Sequence, residues 1–355
     1  ECNNTLQKAH KITITNKDRV CSTEMQAHPL ISMIKRAAST FSKRKLPVSI
    51  QKKIPDEGEC LRNIAIELNN VAVDLYEHNE LMYSKEMYKN AAKAIVAMID
   101  QNEDRYLGSS DERTNFIEQV IEGKRRLYQL ASSCPKITDA ELGCYEWLDP
   151  ECDSCVTPVF ISKAIKIGTD CGEASDDVNF VNAAIISYNL GLVHMKEKEY
   201  DTCGQIFELG IGLRQAIDDS NVSLRKSMVF CNLLNNLGCI HYKRNNMCEA
   251  DACLIESVRI GKCVVESRGD ASLLSAQRCV GAIFYNIGVM KACLGLYKKV
   301  DHAFERCLEM QKRAFGSDHL LIGTIQKNIG LVYFEMGRLN DAMEAFLHGL
   351  NLMRL

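Results

Sequence analysis

An all-α solenoid of about five to six helical hairpins is the fold class this sequence predicts, on three observations. The chain has 355 residues, more than the ~250–300 at which a single core stops growing, so it is multi-domain or a repeat stack. All six prolines lie at or before Pro158, which leaves the last 197 residues with none. A proline costs ~3 kcal/mol inside a helix, so a long tract without it suits helices. Third, five segments align without gaps. They begin Asn70-Val71-Ala72, Asn189-Leu190-Gly191, Asn236-Leu237-Gly238, Asn286-Ile287-Gly288 and Asn328-Ile329-Gly330.

Each segment repeats at further fixed positions. Fourteen residues after the Asn comes Ser84, Cys203, Ala250, Val300 or Ala342. Four residues on is a large apolar side chain: Tyr88, Phe207, Leu254, Phe304 or Phe346. Three beyond that is a small one: Ala91, Gly210, Ser257, Cys307 or Gly349. Such spacing reads as a helical hairpin. The first helix offers a Gly or Ala where another helix crosses closely, and the second inserts a knob. One hairpin cannot bury its apolar face alone, so several must stack.

Taken in order, residues 1–57 form a basic extension, with 11 Lys/Arg against 5 Asp/Glu. Between Met25 and Ile54 there are seven basic residues and no acid; that stretch is read as a solvated basic tail or, if translation began at Met25, an organelle-targeting segment. Residues 58–101 are the first hairpin. Residues 102–175 are expected to be a degenerate hairpin: one amphipathic helix from Thr114 to Ser132, a shorter one from Phe160 to Ile167, and a Cys-rich acidic insertion (133–157) between them. Residues 176–355 hold four consecutive hairpins. The chain ends at Leu355 inside the last one, without the polar capping helix such arrays need, so that end is expected to be covered or continued.

The pattern resembles the tetratricopeptide repeat, over roughly 58–101 and 176–355. The resemblance implies a right-handed superhelix whose first helices line a concave groove. The asparagines of the last four copies lie 47, 50 and 42 residues apart, longer than the usual ~34. This period, with Phe315-Gly316-Ser317-Asp318-His319-Leu320 and Thr324 to Tyr333, is similar to kinesin light chain repeats. The sequence departs from the family in three ways. The proline after the second helix is absent, and His194, His241 and Lys291 replace the usual Tyr. A heptad region for a heavy chain is also missing.

The resemblance implies a protein-binding scaffold that holds an extended peptide. An Asn side chain offers donors and an acceptor, so it clamps a peptide backbone without reading its side chains. Asn70, Asn189, Asn236, Asn286 and Asn328 form the ladder. Helical spacing adds Tyr188, Asn235, Tyr242, Tyr285 and Lys327 to the groove lining. The alternative for each Asn is consensus packing. Tyr145-Glu146-Trp147-Leu148-Asp149 is similar to the acid-flanked Trp motifs that light-chain domains bind; it folds back on its own groove, serves as bait, or anchors the loop.

The rival function is a zinc- or redox-responsive regulator. Cys134, Cys144, Cys152 and Cys155 include one C-x-x-C, whereas a typical zinc site shows two such pairs or a nearby His. Of the 17 cysteines, Cys203, Cys239, Cys253, Cys263, Cys279, Cys293 and Cys307 sit in helical patterns as small apolar fillers, which favours a reducing, cytoplasmic setting. Sequence motifs for phosphate, dinucleotide, Ser-hydrolase or zinc-protease chemistry are absent, so neither an enzyme nor a cofactor is expected. A net charge of −3 argues against nucleic acid. Apolar runs fall short of the ~18 residues a membrane span needs.

Overall fold

The computed structural model describes residues 57–99, 122–123, 145–147, 157–168, 176–225, 227–267 and 272–354. The basic extension, the 134–155 cysteines and the expected 114–132 helix lie outside them, except that Glu122 and Gly123 are helical and Tyr145–Trp147 is a strand. The fold is all-α and of the solenoid class. Among the described residues, five hairpins follow one another along the chain: α1 (Glu57–Glu77) with α2 (Leu81–Ile99), α3 (Asp176–Lys196) with α4 (Tyr200–Gly212), α5 (Met228–Lys243) with α6 (Met247–Ser267), α7 (Ser272–Cys293) with α8 (Tyr297–Phe315), and α9 (Leu320–Glu335) with α10 (Leu339–Met353). Two short strands, β1 (Tyr145–Trp147) and β2 (Val159–Ile161), pair antiparallel, with Glu146 opposite Phe160.

The chain divides into two compact units. One holds the first two hairpins, residues 162–168 and the start of α5. The other holds β1, β2 and the chain from Leu234 onward.

Every hairpin turns in the same way. The ninth residue after each repeat Asn has a positive φ: Asn79 (61°), Lys198 (60°), Asn245 (59°), Gly295 (69°) and Gly337 (73°). The next amide then reaches back to the carbonyl five residues earlier, as in Glu80 to Leu75, Glu199 to His194 and Leu296 to Lys291. This is a Schellman closure, which satisfies carbonyls the helix end leaves open.

The knobs sit where the spacing places them. A Cβ built on Gly191 would lie 2.3 Å from Phe207, one on Gly288 2.2 Å from Phe304, and one on Gly330 2.7 Å from Phe346. Phe207 and Phe304 are buried in these hollows. The small residue fourteen after the Asn seals the crossing: Ser84 Oγ donates to the Ala72 carbonyl (2.8 Å), and Cys203 Sγ to that of Gly191 (3.2 Å). Cys203, Cys239 and Cys307 are buried thiols that form no disulfide. Burial pushes Cys307 up to about 12, so it acts as an apolar filler.

One expectation is overturned. Phe160 to Ile167 is not a helix. It is β2 followed by extended chain. Val159, Phe160 and Ile161 are β-branched or aromatic residues that favour strand. A helix of eight residues is also too short to hold itself together. The backbone groups of this segment find partners elsewhere, described next.

Candidate peptide-clamping site

Four repeat asparagines grip the extended segment by its main chain, each with both ends of its carboxamide. In the unit holding α7, the Val159 amide donates to Asn286 Oδ1 (2.7 Å), and Asn286 Nδ2 donates to the Val159 carbonyl (2.8 Å). Asn236 does the same for Ile161, at 2.9 and 3.0 Å. In the other unit, Asn189 clamps Ile165 with two bonds of 2.8 Å. There Asn70 clamps Ile167 at 2.8 and 2.9 Å. Asn189, Asn236 and Asn286 are fully buried.

Within each unit the clamped residues are two apart, 159 and 161 or 165 and 167. Successive residues of a strand turn their N–H and C=O to opposite edges, so residues two apart face the same edge. Two carboxamides spaced by one dipeptide therefore act as a substitute neighbouring strand. In β2 the edge carrying Val159 and Ile161 faces the asparagines, which leaves Phe160 to face Glu146 of β1. The stretch around Trp147 thus pairs with the segment that the asparagines hold.

The same auxiliary network occurs in both units. Asn235 Nδ2 donates to Asn236 Oδ1 (3.1 Å) and, at 3.4 Å, to the Val159 carbonyl, and Asn235 Oδ1 accepts from Asn286 Nδ2 (2.8 Å). Asn69 Nδ2 donates to Asn70 Oδ1 (3.2 Å) and the Ile165 carbonyl (3.2 Å), and Asn69 Oδ1 accepts from Asn189 Nδ2 (2.9 Å). Each doublet thus locks its own clamp and that of the following repeat. Both doublet asparagines, Asn69 and Asn235, are fully buried. A buried amide without such partners would cost about 1–3 kcal/mol, so the network fixes the orientation of the clamps.

Other lining residues differ in role. Tyr188 Oη donates to the Lys163 carbonyl (3.2 Å) and Tyr76 Oη to that of Ser162 (3.2 Å). Cys239 Sγ lies 3.5 Å from the Val159 carbonyl, and burial pushes its thiol far up. Tyr285 is a core residue stacked on Phe304, with ring centroids 5.8 Å apart. Tyr242 pairs its hydroxyl with Cys293 of the next hairpin (3.3 Å). Lys327 is exposed. Asn328 makes no hydrogen bond to the described residues of the segment. Sequence reasoning passed over Asn69 and Tyr76. The doublet Asn69-Asn70, matched by Asn235-Asn236, is the signal that marks the first of them.

Among the described residues, His194, Glu197 and Glu199 have the spacing of a metal site. Lys85 already occupies that position. It pairs with Glu197 and, at 3.4 Å, with Glu199, while His194 Nδ1 meets Glu199 at 2.5 Å. The group is an ion-pair link between the first two hairpins. Asp301 is a similar link in the other unit, taking Tyr333 Oη (2.9 Å) and Arg338 (2.6 Å). No helix among the described residues is long and apolar enough to cross a membrane.

Residues 280–354 match the family model of the tetratricopeptide repeat. The match takes in most of α7 and the hairpins through α10. The earlier hairpins carry the same turn, and those at Asn189 and Asn236 also set a large apolar side chain against the repeat glycine. A search of curated proteins returns no match.

Proposed function

We propose that this protein is a protein-interaction scaffold whose repeat asparagines clamp an extended polypeptide by its main chain. The observation that carries the reading is the set of four two-bond clamps on residues 159–167. They grip backbone groups that any peptide possesses. The chain's own segment is the resident ligand, and a partner segment takes its place. The mode is strand addition with carboxamides in the role of the sheet edge. The clamps are uncharged, which favours a protein partner over nucleic acid. The likeness of 315–333 to kinesin light chain repeats supports the same class of activity, adaptor binding.

The test uses the full chain with Val159→Pro and Ile161→Pro. Each proline removes an N–H that a clamp needs, so those two clamps are vacated. A labelled peptide of sequence Val-Phe-Ile-Ser-Lys-Ala-Ile-Lys-Ile should then bind. Adding Asn236→Ala and Asn286→Ala should weaken it at least tenfold. Absence of peptide binding in the folded proline variant would make the segment a permanent part of the fold and reject the proposal.

A further inference from the structure

We infer that the scaffold selects its partner by a three-residue head, β-branched–aromatic–β-branched, and tolerates wide variation in the residues that follow. This rests on the scaffold reading above and names the partner class: a protein presenting such a head in extended form.

The two units treat the segment differently. In the unit with Asn236 and Asn286, three consecutive side chains are buried: Val159 (5% exposed), Phe160 (1%) and Ile161 (1%). Neighbouring side chains of a strand point to opposite faces. Burial of all three therefore means that both faces of the strand are covered. Main-chain clamps alone require nothing of the kind. Phe160 is among the largest fully buried side chains of the protein.

In the unit with Asn70 and Asn189, the grip is on the main chain. The carbonyls of Ser162, Lys163, Ile165 and Ile167 all accept bonds from Tyr76, Tyr188 and the asparagines. Lys163 and Lys166 are exposed. Lys166 meets Asp74 at 2.6 Å, but both partners are open to water. A pair of that kind contributes little to affinity. Only Ala164 and Ile167 bury apolar side chains here, and the first is small.

Burial of one large apolar side chain corresponds to roughly tenfold to a hundredfold in affinity. The experiment is a competition series on the full-length Val159→Pro/Ile161→Pro/Ile165→Pro/Ile167→Pro chain, in which each of the four clamps loses the N–H it needs, with four nine-residue peptides. These are the parent Val-Phe-Ile-Ser-Lys-Ala-Ile-Lys-Ile, its Phe→Ala form, its form with both Ile of the tail changed to Thr, and its form with both Lys changed to Ala. The Phe→Ala peptide should bind at least tenfold weaker than the parent. The double Lys→Ala peptide should stay within about threefold, and the tail Thr peptide should lose less than the Phe→Ala one. Equal binding of parent and Phe→Ala peptides would overturn the head code and leave the scaffold reading standing. Failure of all four peptides would overturn the scaffold reading, and the code with it.

Should the proline variant not fold, the ranking is read within the intact chain by hydrogen exchange. Phe160→Ala should speed exchange at the Val159 and Ile161 amides at least tenfold, while Lys163→Ala and Lys166→Ala leave it unchanged. Equal protection in the three variants would overturn the code.

Discussion

At the scale of single residues, the two ends of a carboxamide decide what a substitution costs. Asn236→Ala removes both hydrogen bonds that the buried Asn236 makes to the Ile161 N–H and C=O, and losing such a bond at a buried group costs about 1–3 kcal/mol. We expect it to lower stability by about 2–5 kcal/mol in urea unfolding. Asn328→Ala removes the same side chain from the same repeat position, where no described residue of the segment is held. Its cost should stay below about 1 kcal/mol. Similar losses at the two positions would mean that Asn236 acts as consensus packing and not as a clamp. The ladder was legible in the sequence because five asparagines recur in one frame. What they grip was not. The partner of Asn286 is 127 residues away in the chain, and no local pattern around Val159 encodes that distance. The short run Val159-Phe160-Ile161 behind Pro158 carries strand propensity, but the apolar spacing through Ile165 also suits a helix. The non-local bonds decide between them. Tyr188 and Tyr285 share a repeat position, and both stack on the knob of their own hairpin. Only Tyr188 also has a Lys163 carbonyl within reach, a difference that depends on where the segment runs.

At the scale of the element, the repeat period made the hairpins legible, including which glycine receives which knob. The turn was less so. Asn79, Asn245, Gly295 and Gly337 are residues that accept a positive φ readily, but Lys198 fills the same position, so no composition signal spans all five. The pairing of knob and glycine predicts opposite signs for one kind of substitution. Gly191→Ala and Gly288→Ala place a methyl group within 2.3 Å of Phe207 or Phe304. Both aromatic rings are held between helices, so overpacking should cost about 1–3 kcal/mol. Gly212→Ala meets nothing within 4 Å, on helical backbone with φ −59°. There the gain in helix propensity should stabilise by up to about 1 kcal/mol. The sequence pair Gly210-x-Gly212 suggests close packing at both positions, yet only Gly210 has a neighbour, Leu233 at 3.0 Å. Thermal melts of the three variants would check the order, and a Gly191→Ala protein as stable as the parent would remove the knob argument.

At the scale of the whole molecule, stability should depend on pH through two histidines at one repeat position. His194 and His241 stand where Leu75, Lys291 and Tyr333 stand in the other repeats. Burial lowers both from the ordinary 6.5. For His194 the bond to Glu199 opposes the effect without reversing it, and His194 Nε2 is buried without a partner among the described residues. Glu199 is itself held below the ordinary carboxylate value, chiefly by its bond to His194. In the unfolded chain both histidines take up a proton near pH 6.5. In the folded chain they do so only at lower pH. Between those values the unfolded state binds more protons, so stability rises with pH across that window. The contribution is complete above about pH 6.5 and is lost as the pH falls below it. The depressed Glu199 extends the loss under more acidic conditions, because its contribution is also present at high pH and lost on acidification. Urea midpoints should therefore be level above pH 7 and decline below pH 6.5. The double variant His194→Gln/His241→Gln should flatten that decline while leaving the midpoint at pH 8 within the range of an ordinary substitution. A wild-type profile that stays level down to pH 5 would show that both imidazoles take up protons as freely in the folded chain as in the unfolded one, against the burial the fold gives them.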